Sequence, residues 1–191
     1  METLLVSAGV VALAEIGDKT QLLAFVLAAR FKKPIPIIAG ILCATVVNHG
    51  MAGALGAWIT TMLTPDILRW VVGLSFLGMA VWTMIPDKIE EEETQVARRL
   101  GVFGATFVTF FLAEMGDKTQ IATIAMAAHY SNAVMVVIGT TLGMLIADVP
   151  AVFVGDHFAK KIPMKIVHSI AAAMFAAMGL LALLKVDTWI K

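Results

Sequence analysis

The sequence holds one cysteine, Cys43, among its 191 residues. A lone cysteine excludes an intrachain disulfide and any cysteine-cluster metal site, and Cys43 reads as a small apolar packing residue. Charge is also scarce. Charged residues make up 15% of the chain, and its 14 basic and 14 acidic side chains cancel, where a soluble domain is about a quarter charged. Nothing in that balance suggests a nucleic acid as partner. Also missing is the basic start of a secretory leader. Glu2 stands there instead, and Glu15, Asp18 and Lys19 interrupt the first apolar run, so this run reads as a retained span.

Apolar sequence fills the space that charge leaves. Hydrophobic residues reach 60%, with a mean hydropathy of +0.90, which indicates a polytopic membrane protein with the lipid bilayer as a partner. A spanning helix needs about 20 mostly apolar residues. Six stretches qualify: 4–29, 35–61, 68–85, 101–128, 133–157 and 166–185. Short polar or proline-marked turns separate them. The longest connection, with Glu90 to Glu93, reads as a solvated cytoplasmic linker over 87–99 between halves 1–86 and 100–191.

The halves are related. Ala14-Glu15-Ile16-Gly17-Asp18-Lys19-Thr20-Gln21 returns as Ala113-Glu114-Met115-Gly116-Asp117-Lys118-Thr119-Gln120, an offset of 99 residues from Glu15 to Glu114. The same offset aligns Gly40 with Gly139, Gly56 with Gly155, Phe76 with Phe175 and Met79 with Met178. Three spans per half is an odd number, which turns the second half over in the membrane. The expected fold is therefore an all-α membrane protein of six transmembrane helices in two inverted three-helix repeats, with a binding site near the midplane where the repeats meet. Nine basic residues (Arg30, Lys32, Lys33, Lys88, Arg98, Arg99, Lys160, Lys161, Lys165) fall on one side and three (Arg69, Lys185, Lys191) on the other. The richer side is expected to be cytoplasmic, with both termini outside.

Charged groups inside hydrocarbon are costly and mark ion pathways. On an ideal helix Glu15, Asp18 and Lys19 share one face, Gln21 extends it, and Thr20 points away unless the helix distorts. Gly17 and Gly116 leave room for a kink or a close approach. Each motif carries two acids and one base, so two facing motifs leave two negative charges, which a divalent cation would neutralise. Carboxylate, amide and hydroxyl oxygens suit magnesium, calcium or manganese, and the lack of thiolates argues against copper(I). Met115 reads as packing, with a soft contact favouring manganese as the alternative. Buried Glu15–Lys19 and Glu114–Lys118 pairs that merely lock helices are the bland explanation of the motif.

The duplicated Glu-x-Gly-Asp-Lys/Arg-Thr/Ser pattern in a six-span chain of this length resembles the GDT family of calcium/manganese–proton antiporters. The resemblance covers nearly the whole chain. It implies that Glu15, Asp18, Glu114 and Asp117 are cation ligands, with Lys19, Thr20, Lys118 and Thr119 completing the signature. It also implies a bacterial inner-membrane protein exporting manganese(II), with calcium the other candidate, in exchange for protons. Neither an enzyme nor a prosthetic group is expected.

Gln21, Gln120, Thr20 and Thr119 are second choices as ligands, and Lys19 and Lys118 read as charge balance. Asn48 and His49 in the second span and Asp148 in the fifth read either as interhelical contacts or as a proton relay or auxiliary ligand, since histidine titrates near physiological pH. His129, His157 and His168 near span ends, like Trp58, Trp70, Trp82 and Trp189, read as interface residues. Two alternative functions are an exporter of organic cations such as basic amino acids, which the motif lysines would repel, and an intramembrane metal-dependent enzyme, which lacks a further constellation.

Overall fold

The computed structural model describes residues 1–85, 100–154 and 164–184, all helical or in short connections. Among these residues are eight helices: α1 (Glu2–Glu15), α2 (Lys19–Phe31), α3 (Pro34–Met62), α4 (Pro65–Thr83), α5 (Gly101–Glu114), α6 (Lys118–His129), α7 (Ala133–Val154) and α8 (Met164–Leu183). Each helix of the first half begins 99 residues before its counterpart in the second. The starts have local causes. Proline opens α3 and α4, where its missing N–H costs nothing, and Asn132 Oδ1 accepts from Met135 N at 3.1 Å at the start of α7. The helices α3, α4 and α7 are each long and apolar enough to cross a membrane. The linker 87–99 with Glu90 to Glu93, together with Lys88, Arg98, Arg99, Gly155, His157, Lys160, Lys161, Lys185, Trp189 and Lys191, lies outside the described residues.

One sequence expectation is corrected. Spans 4–29 and 101–128 are not continuous helices; each is a pair of half-helices that part inside the motif. Gly17 and Gly116 adopt φ of +86° and +76°, a left-handed conformation open to glycine and costly for side chains with a Cβ. Glu15 and Asp18 therefore do not share a helix face: Glu15 ends α1 and Asp18 caps α2.

The chain packs across its halves. Along α1 and α7, which run the same way, a Cβ added to Gly139 would lie 2.6 Å from Leu4 O, and one added to Gly143 would lie 2.5 Å from Ala8 O. The related contact recurs 99 residues away. A Cβ on Gly40 of α3 would meet Phe103 O at 2.9 Å and Thr106 Cβ at 2.7 Å of α5, as Gly139 meets Leu4 and Ser7. Small residues thus let backbones close up where lipid supplies no hydrophobic drive between helices. α4 and α8 pack in opposite directions: Arg69 Nη1 reaches Leu183 O at 3.5 Å, while Phe76 stacks on its repeat mate Phe175 with ring centroids 6.3 Å apart.

Polarity is arranged as lipid demands. Leu42, Val46, Leu55, Leu74, Ile138 and Ile146 face outward, while Glu15, Asp18, Thr20, Asn48, His49, Glu114, Asp117 and Asp148 are buried. Cys43, expected as a packing residue, lies exposed on α3. Trp58 and Trp70 are about half exposed, at 55% and 52%.

Candidate cation site

The same local device builds both motif loops. Glu15 O accepts from Asp18 N, and Glu114 O from Asp117 N, each at 3.0 Å. Gln21 Oε1 then accepts from Gly17 N at 2.9 Å, and Gln120 Oε1 from Gly116 N at 2.7 Å. The glutamines therefore clamp the backbone where each helix breaks. The break places a helix C-terminus and a helix N-terminus side by side in the interior, the kind of backbone ending that transporters present to charged substrates.

Glu15, Asp18 and Asp117 each direct a carboxylate oxygen into one group, all within 4.8 Å of one another and all buried. Two of these acids come from the first half and one from the second. Lys118 Nζ lies 3.4 Å from Asp18 Oδ1, an ion pair that joins the halves. No Glu15–Lys19 ion pair forms among the described residues, and Lys118 reaches Asp18 of the other half. Lys118 is buried at 2% exposure and Lys19 is half-buried, so the two lysines of the repeat do different things.

Glu114 stands outside the three-acid group. Asn48 Nδ2 donates to Glu114 Oε2 at 3.0 Å and to Phe111 O at 3.1 Å, and His49 Nε2 lies 3.8 Å from Glu114 Oε1. Gln120 Nε2 is 3.4 Å from Asn48 Oδ1, so one side-chain chain links the second motif loop to α3. Beside the first motif, α7 of the second half offers Ala147 where α3 has Asn48, and Gln21 Nε2 donates to the Ala147 carbonyl at 3.0 Å instead. Glu15 is held by its own loop: Thr20 Oγ1 donates to Glu15 Oε2, which the distortion of the helix makes possible. Thr119 Oγ1, its counterpart, is buried with no hydrogen-bond partner.

The structure thus gathers three of the four sequence-predicted carboxylates and lodges the fourth among Asn48 and His49. Met115 is 52% exposed and takes no part. A cluster of three buried carboxylate oxygens with neighbouring hydroxyl and amide groups fits a hard divalent cation, whose charge would offset acids that are otherwise expensive to bury.

A family model described as "Divalent cation/proton antiporter GDT1" matches residues 3–91 and 102–189, one motif in each segment. The chain is 51% identical over 181 residues to a Vibrio cholerae protein named "Putative manganese exporter", covering 94% of this chain and 90% of that one. It is 32% identical over 200 residues to "GDT1-like protein 4" of rice, covering 91% and 70%. It is 30% identical over 188 residues to a GDT1-like protein of Synechocystis, covering 86% and 88%. No solved structure matches the chain.

Proposed function

We propose, from the premise that this chain belongs to the GDT1 family of divalent cation/proton antiporters, that it exports manganese(II) from a bacterial cytoplasm in exchange for protons. The observation that carries this reading is the buried group of Glu15, Asp18 and Asp117, drawn from both halves. Glu114 is the fourth acid of the pathway, reached when the site changes hands between the two repeats. The same carboxylates serve either ion: a metal neutralises them when bound, and protons do so on the return. Thr20, Thr119, Gln21 and Gln120 line the loops that carry these acids. The opposed course of α4 and α8 supports six spans in two inverted three-helix repeats, and cross-packing of the halves lets them rock against each other around the site.

The test is uptake into everted membrane vesicles. Manganese accumulation is expected when the lumen is acidic, with competition by calcium but none by lysine. Accumulation indifferent to the pH gradient would remove proton exchange from the mechanism.

The excess of basic residues on the Lys32 and Lys161 side supports a cytoplasmic position for that side and both termini outside. Single cysteines introduced beside Lys32 and Lys161, in a chain whose Cys43 is replaced, are expected to resist an impermeant thiol reagent added to intact cells, while one beside Lys191 reacts. Equal labelling at all three overturns the orientation.

A further inference from the structure

The two halves present different residues to each other's motif glutamates at one repeat-related position. On α3 it is His49, 3.8 Å from Glu114. On α7, 99 residues later, it is Asp148. Asp148 is fully buried, and neither carboxylate oxygen has a hydrogen-bond partner. Its neighbour Ala147 is bound through its carbonyl to Gln21, which fixes this part of α7 against the first motif loop. Asp148 is within electrostatic reach of Glu15, Asp18 and Glu114. A buried acid facing other acids with nothing to satisfy it is strongly unfavourable unless something positive joins the group. Among the described residues Lys118, paired with Asp18, and Lys19, within electrostatic reach of Glu114, set two positive charges against the five buried acids Glu15, Asp18, Glu114, Asp117 and Asp148.

We propose that Asp148 is a further determinant of cation affinity, contributed by α7 within reach of both motif glutamates, and that its repeat mate on α3, His49, adds no second acid beside Glu114. The second and fifth spans then contribute unequally, an imidazole from α3 and an acid from α7. Charge count is what tunes the affinity of oxygen sites for divalent cations.

This inference rests on the proposed cation transport, and the experiment separates the two. Manganese binding to the purified full chain in detergent is followed by the spin resonance of free manganese(II), together with the manganese-induced rise in melting temperature. Asp148→Asn is expected to weaken binding by about tenfold or more, the scale on which supporting groups of metal sites act, and to shrink the melting shift. Asp148→Glu, which keeps the charge, is expected to stay within about threefold of wild type on the same scale. Wild-type affinity in Asp148→Asn, with binding lost in Glu15→Gln, overturns this inference and leaves the transport reading standing. No manganese binding by the wild-type chain overturns both. Should Asp148→Asn not fold, the wild-type chain decides: manganese is expected to shield Asp148 from a hydrophobic carbodiimide, read by peptide mass spectrometry. Modification of Asp148 unaffected by manganese, while Glu15 is shielded, overturns the inference as well.

Discussion

Cells producing Glu15→Gln or Glu114→Gln protein at wild-type levels are expected to lose protection against manganese, with vesicle uptake reduced by about tenfold or more, equivalent to about 1.4 kcal/mol or more. The amide nearly keeps the shape of the acid and removes its charge in a site shielded from water, where charge-assisted contacts are strongest. Both residues are fully buried. Their present surroundings differ: Glu15 belongs to the three-acid group, whereas Glu114 is held by Asn48 beside His49. Comparable loss from both would follow only if the cation passes both halves during the cycle. Glu90 to Glu93, changed together to glutamine, should have little effect. Wild-type manganese protection by either single variant sinks the mechanism.

Lys118→Met is expected to destabilise the folded protein by about 3–5 kcal/mol, the usual result of stranding one member of a buried ion pair. Lys19→Met should cost far less, although the lysines sit at the same place in the repeated motif. Lys118 is 2% exposed and pairs with Asp18 across the halves at 3.4 Å, while Lys19 is half-buried. Chemical denaturation of the detergent-solubilised protein measures both. Combining Lys118→Met with Asp18→Asn should recover part of the loss, because removing both charges leaves none uncompensated. Equal destabilisation by the two lysine variants, or no recovery in the double variant, would show that the cross-half pair does not hold the motifs together.

Several features were legible without coordinates because they follow from local chemistry or from duplication itself. The 99-residue register reappears in the helix starts and in the Gly40 and Gly139 contacts, since equal sequences place equal small residues against equal backbones. The motif glycines already hinted at a kink. Glu15, Asp18 and Lys19 would share a face only while the helix continues, and a left-handed glycine ends it. Gln21 and Gln120 looked like pathway residues; their role as backbone clamps depends on a loop that periodicity does not describe.

By itself the sequence determined that two near-identical acidic motifs lie in apolar spans, which makes buried carboxylates from both halves the candidate chemistry of this protein. Only the tertiary structure decided which of them meet. α1 packs on α7 and α5 on α3, so each motif takes its surroundings from the other half, where the repeats have diverged: Asn48 and His49 on one side, Ala147 and Asp148 on the other. Near-identical octapeptides therefore end with one glutamate in a three-acid group and the other against an amide and an imidazole. Buried charge is governed by the neighbours brought to it through space, and no spacing along the chain encodes those.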